Sequence, residues 1–231
     1  MIPIGDDERR LRGFPLVVYA LIAANAWVFF AELNAPETDR FINAFALIPY
    51  DVTHGVALAP PSPAFPPLTL VSSMFLHGGW LHIGFNMLFL FVFGPAIEHV
   101  CGHVRFAAYY LLCGIAGGIA QIVIGPGSHV PALGASGAIA GVLGGYIVCF
   151  PFARIRTIVP LGWFPLFVRL PALLVIGLWA LSQFVTGFGT ISDRAAESVG
   201  GTAYFAHIGG FCAGVFLIGR MSGRRQRVAS W

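Results

Sequence analysis

Six apolar runs, at about 14–33, 81–99, 106–125, 136–153, 171–188 and 204–220, carry no charge at their centres. A helix needs about 20 mostly apolar residues to cross the hydrocarbon core of a bilayer, and all six runs come near that length. Only 10% of the 231 residues are charged and 57% are hydrophobic, whereas soluble domains carry about 25% charged residues. Such a chain cannot cover itself with a water-facing surface. The runs predict an all-α polytopic membrane protein, a bundle of six transmembrane helices with most of its surface in lipid.

The first run follows "DDERRLRG" and contains Ala24-Asn25-Ala26, which looks like a signal-peptide cleavage site. Its apolar stretch continues to Phe30, too long for a signal h-region, so the segment is expected to stay as a helix. Asn25 within it is expected to hydrogen-bond to another helix.

Arginine placement gives the orientation. Arg9, Arg10 and Arg12 precede the first run, Arg105 follows the second, Arg154, Arg156 and Arg169 follow the fourth, and Arg220, Arg224, Arg225 and Arg227 end the chain. The other connections hold only Arg40 and Arg194. Both termini are therefore expected in the cytoplasm, in a bacterial cytoplasmic membrane. The expected organisation is a cytoplasmic segment at 1–13, one membrane domain at 14–220 and a basic cytoplasmic tail at 221–231. The net charge of +3 comes from thirteen arginines scattered between apolar runs, not from one basic face, so no nucleic-acid partner is expected. Cys101, Cys113, Cys149 and Cys212 lie in or beside apolar runs without ligand-like spacing, and are expected as small core residues. The connection at about 34–80 is long and proline-rich, and is expected at the membrane interface.

In that orientation the second, fourth and sixth runs all begin at the outer face. His82 and Asn86 sit in the first turns of the second, Ser136 opens the fourth and His207 lies in the first turn of the sixth. Four polar groups from three distant segments thus share one depth. Polar groups inside a membrane are costly and mark function by default. The fourth run, bounded by Pro151, holds only about 14 helical residues, so its start is expected below the outer surface in a water-accessible pocket. Gly137, Gly141 and Gly145 form one i, i+4 stripe, Ser136, Ala140 and Gly144 its neighbour, and Ala206, Gly210 and Gly214 a third on the sixth run. Small-residue stripes let backbones approach closely. Packing the fourth and sixth helices through them would bring the Ser136 hydroxyl to the His207 imidazole.

At these residues the sequence resembles the rhomboid family of intramembrane serine proteases, over nearly the whole chain. "GASG" (Gly134–Gly137) is similar to the family's G-x-S-G motif. "HGGWLHIGFN" is similar to its H-x4-H-x3-N motif, at His77, His82 and Asn86. "AHIGGFCAG" is similar to its A-H-x2-G-x3-G motif, at Ala206, His207, Gly210 and Gly214, and "FGPAIEHVCG" to the end of its second helix, at Glu98. The resemblance implies Ser136 as nucleophile and His207 as general base. It implies an oxyanion hole from His82, Asn86 and the Ser136 N–H, with His77 in support. The chain departs from the family at Leu68 and Thr69, where many members carry Trp-Arg. It departs again at Ala140, where some carry an aromatic ring stacked on the histidine.

The expected activity is cleavage of transmembrane segments of other membrane proteins near their outer ends, without metal or cofactor. No acidic residue in the outer half of a run plainly completes a triad; Glu98 is on the wrong side, and Asp193 and Glu197 lie in an outer loop. A Ser–His dyad is therefore expected. The alternative is a catalytically silent rhomboid-like binding or trafficking scaffold, disfavoured because both dyad residues are present. A zinc site at His77, His82 and His207 lacks the adjacent carboxylate base typical of zinc hydrolases. A transporter would be expected to show inverted repeats and midplane ion-pairing residues, and neither is visible. His54, His99, His103 and His129 are expected to be structural.

Overall fold

The first apolar run folds as α1 (Leu16–Asn34), and the long connection after it holds α2 (Thr38–Phe45), α3 (Pro49–His54) and α4 (Thr69–Ser72). There follow α5 (Trp80–Cys101), α6 (His103–Ile124), α7 (Ser136–Cys149), α8 (Ala172–Ser192) and α9 (Tyr204–Met221). The structure is a computed structural model describing residues 1–7, 13–56, 62, 65–161, 164–192 and 203–222. Arg9, Arg10, Arg12, Asp193, Arg194, Glu197, Arg224, Arg225 and Arg227 lie outside the described residues.

The result is a polytopic helical bundle. Among the described residues five helices, α1, α5, α6, α8 and α9, are long and apolar enough to cross a membrane. The sixth expected span, α7, has fourteen residues. That is about 21 Å at 1.5 Å per residue, short of a hydrocarbon core of about 30 Å. It stops at Cys149 because Phe150 precedes Pro151, and a residue before proline is pushed out of the helical region.

A small sheet joins the bundle, which the helical pattern did not announce. β1 (Ile2–Asp6), β2 (Arg154–Leu161) and β3 (Phe164–Pro171) form an antiparallel sheet in the order β1-β2-β3. In β2, Ile155 and Thr157 are buried while Arg154 and Arg156 face out, the period-2 alternation of a strand. The sheet closes the end of the bundle where α7 stops and α8 starts. Buried Asp6 fixes β1 there by accepting a hydrogen bond from the Tyr146 hydroxyl of α7 at 2.8 Å.

Two buried carboxylates tie α1 to its neighbour at both ends. At the sheet end, Glu98 of α5 accepts from the Val17 and Val18 N–H groups at 2.9 and 2.8 Å. Those N–H groups have no partner inside their own helix, and the helix dipole favours an anion there. His103 of α6 bonds to the same carboxylate. At the opposite end, Glu32 of α1 accepts from the His77 N–H just before α5, at 3.0 and 3.3 Å. Asn25 donates to Leu21 of its own helix at 2.8 Å and faces Tyr110 of α6.

The central contact is α7 against α9, with α6 behind both. A methyl group on Gly210 would collide with the Gly137 carbonyl, and one on Gly214 with the Gly141 carbonyl. One on Gly117 of α6 would stand 2.5 Å from the Ala206 carbonyl. The glycine stripes are therefore used as expected, and the α6 glycine extends them to a third helix. Tyr109 of α6 locks the three together: its buried hydroxyl lies 2.6 Å from the Gly141 carbonyl and 3.0 Å from the Gly214 carbonyl.

Because the collision at Gly210 is with backbone, it cannot be relieved by a rotamer change. Gly210→Ala is expected to destabilise the fold by about 1–3 kcal/mol, measured by thermal unfolding in detergent. Gly177→Ala, on an open face of α8, is expected to leave the midpoint unchanged or raise it.

Candidate active site

The α7–α9 contact brings together the two side chains expected to meet. Ser136 is the first residue of α7 and His207 lies in the first turn of α9. Ser136 Oγ is 2.7 Å from His207 Nε2. Ala206 and Gly137, the residues next to each, form the close contact below them: a methyl on Gly137 would be 3.3 Å from the Ala206 carbonyl. The short distance between the reactive groups follows from the absence of side chains between the backbones.

His82 and Asn86 reach the same spot from α5, being four residues apart on one helix face. The chain approaching Ser136 passes close over them. Gly134 has φ of +119°, a region that disfavours side chains, and a methyl there would lie 2.7 Å from His82 Nε2 and 3.7 Å from Asn86 Nδ2. Gly134 is also held by its N–H, which donates to the Ser73 carbonyl at 2.8 Å. The buried Nδ2 of Asn86 has no hydrogen-bond partner among the described residues. The first N–H groups of α7 also lack intrahelical partners. His82, Asn86 and Ser136 line one cavity.

His77 stands one layer back, its ring edge-on to His82 with centroids 5.1 Å apart. Burial, with His82 beside it, pushes the His77 imidazole down to about 4, so it is neutral at physiological pH. Among the described residues no three His, Cys, Asp or Glu side chains gather in a group that could hold a metal ion.

Three contacts of the site were not legible in the sequence. Gln183 of α8 places Oε1 2.7 Å from His207 Nδ1. Trp179 of α8 sets its ring against His207 at 5.9 Å and 39°. Glu32 supports His77 from the far end of α1, accepting from its backbone N–H. At the departures from the family pattern, Leu68 is exposed and Thr69 is buried with its hydroxyl donating to Pro66 at 2.6 Å.

Ser136 and His207 line a cavity of about 800 Å³. Its walls are Leu81 and Phe85 of α5 and Trp179 of α8, with Asp39 and Asn43 of α2 at one side. The volume suits a few residues of extended chain, apolar at the walls with polar groups at one point. A hydroxyl with an imidazole at hydrogen-bond distance is a pair whose chemistry suits acyl transfer.

A family model described as Rhomboid domain matches residues 66–224. The chain is 29% identical over 208 residues to "Rhomboid protein 1, mitochondrial" of Saccharomyces cerevisiae, covering 86% of this chain and 51% of that one. It is 35% identical over 133 residues to "Rhomboid protease GluP" of Bacillus subtilis, covering 57% of this chain and 24% of that one. It is 27% identical over 122 residues to "Inactive rhomboid protein 1" of Drosophila melanogaster, covering 53% of this chain and 8% of that one. The chain spans about half the length, or less, of the curated relatives it matches.

Gly134 tests the local geometry. Gly134→Ala meets both an unfavourable φ and the His82 ring, and is expected to destabilise the protein by about 1–3 kcal/mol. Thermal unfolding in detergent measures this; an unchanged midpoint would show that the close passage is not required.

Proposed function

The chain belongs to the rhomboid family of integral multi-pass membrane proteins, and from that premise we propose that it is an intramembrane serine endopeptidase working through a Ser136–His207 dyad. The reading rests on one observation above the others: the 2.7 Å approach of Ser136 Oγ to His207 Nε2 at the head of two closely packed helices. A serine hydroxyl is a weak nucleophile until a base takes its proton. His207 takes that proton as Oγ attacks the substrate carbonyl carbon, then gives it to the leaving amine. Water hydrolyses the acyl-enzyme by the same steps. His82, Asn86 and the Ser136 N–H stabilise the negative oxygen in each tetrahedral intermediate.

The substrate is a transmembrane segment of another membrane protein, cut near its outer end. Segments with small or helix-weakening residues there are favoured, because a helix must open to present a carbonyl. Six passes, with α7 as a short fourth one, leave both termini cytoplasmic. Arg105, Arg154, Arg156, Arg169 and Arg220 then lie at the cytoplasmic end, opposite Ser136, as the positive-inside rule requires. The setting is a bacterial cytoplasmic membrane, with 1–13 and 221–231 as cytoplasmic segments flanking the membrane domain. No metal or cofactor takes part.

The match to a relative named as inactive favours a second reading, a binding or trafficking scaffold. Cleavage of a reporter transmembrane segment by the protein in liposomes separates the two. Cleavage is expected to persist with a chelator present and to vanish in Ser136→Ala. Asn86→Ala is expected to lower kcat by about 100- to 1,000-fold, the usual cost of one oxyanion donor. Ser136→Ala protein that supports its cellular role as well as wild type would favour the scaffold.

A further inference from the structure

Beyond the Ser136 hydroxyl, α7 sets no ring beside His207, since the place one turn after Ser136 is the small, buried Ala140. The ring is held from α8 instead. We propose that Gln183 is a positioning residue for the reaction: by accepting a hydrogen bond from the Nδ1–H of His207, it fixes the tautomer whose Nε2 lone pair faces Ser136. This rests on the Ser136–His207 reading above.

A neutral imidazole has one N–H and one lone pair. The Gln183 carbonyl oxygen, 2.7 Å from Nδ1, can only accept. The proton therefore sits on Nδ1, and Nε2 is left to accept from the Ser136 hydroxyl at 2.7 Å. The direction of the amide is set from its other end. Gln183 Nε2 donates to Ser182 Oγ at 3.1 Å, and Ser182 Oγ donates to the Trp179 carbonyl at 2.6 Å. A flipped amide would turn its N–H onto Nδ1 and its oxygen onto a hydroxyl whose proton is already given away. Every donor in the series Ser136, His207, Gln183, Ser182 points the same way, ending on the backbone of α8.

The same contact serves the charged form. When His207 takes the serine proton, the amide oxygen faces a cation, and its dipole stabilises that cation without a carboxylate having to be desolvated there beforehand. Trp179, one turn earlier, packs on the ring and limits its rotation. Of the titratable groups toward His207, α5 brings His82 and α2 brings Asp39 to the same cavity, while α7 contributes the Ser136 hydroxyl. None of these is an acceptor placed at Nδ1.

The test is steady-state cleavage of a reporter transmembrane segment by the full chain in liposomes, across pH 5–9 on the order of one-unit steps. Gln183→Leu keeps the size and removes the acceptor. It is expected to lower kcat roughly ten- to a hundredfold, the cost of one hydrogen bond to a charged group, with KM little changed. Gln183→Glu keeps an acceptor. It is expected to recover most of the activity at high pH and to move the acid limb of the profile up by about 1–3 pH units, because a carboxylate favours the protonated ring. Wild-type kcat in Gln183→Leu, or a wild-type acid limb in Gln183→Glu, overturns the proposal. Should Gln183→Leu not fold, the acid limb of Gln183→Glu decides. Cleavage by the otherwise wild-type protein that survives Ser136→Ala would instead overturn the dyad reading beneath it.

Discussion

Backbone-to-backbone contact between α7 and α9 is the constraint on which the site depends. Lipid offers no hydrophobic drive to press helices together, so their association relies on close packing and hydrogen bonds. Glycine supplies the first: Gly137, Gly141, Gly210 and Gly214 leave room for carbonyls where side chains would otherwise stand. Tyr109 supplies the second, spanning both helices from α6. The Ser136–His207 distance is the consequence of this contact at its upper end. The same residues that look like plain packing are therefore what brings the hydroxyl within hydrogen-bond distance of the imidazole.

The remaining helices divide between clamping and access. α1 is bound to α5 by Glu98 at one end and to the start of α5 by Glu32 at the other. That fixes the helix carrying His82 and Asn86. α8 is different: many of its side chains face outward, and Leu173, Leu178, Leu181 and Val185 are exposed. It nonetheless carries Trp179 and Gln183 to the histidine. The element that walls the cavity therefore also carries the two side chains set against His207.

Much of this was legible in the residues. Polar groups in long apolar runs stand out, and counting runs and arginines placed His82, Asn86, Ser136 and His207 at one expected end of the bundle; all four line one cavity. The glycine stripes gave the partner helices, because a small-residue face has one physical use. Gln183 was not legible. It sits in a run with no motif around it, and its relation to His207 depends on the rotation of α8, which no periodic pattern reports. Glu32 lay at the end of an apolar run, where a charge reads as solvent-exposed; its burial depends on the turn at His77 folding back over it. The sheet was hidden because β2 and β3 lie between apolar runs and β1 lies more than a hundred residues away, at the amino terminus. Gly145 was grouped with the α9-facing stripe, yet it also faces the Tyr109 hydroxyl, so the stripe serves α6 as well.

The dyad proposed for this site requires that the meeting of hydroxyl and imidazole make Ser136 reactive. The most direct measurement is labelling of the purified protein with a fluorophosphonate, with the modified residue located by mass spectrometry. One adduct is expected, on Ser136, and it is expected to disappear in His207→Ala protein retaining its fold. Absence of an adduct on Ser136, or equal labelling without His207, would contradict it.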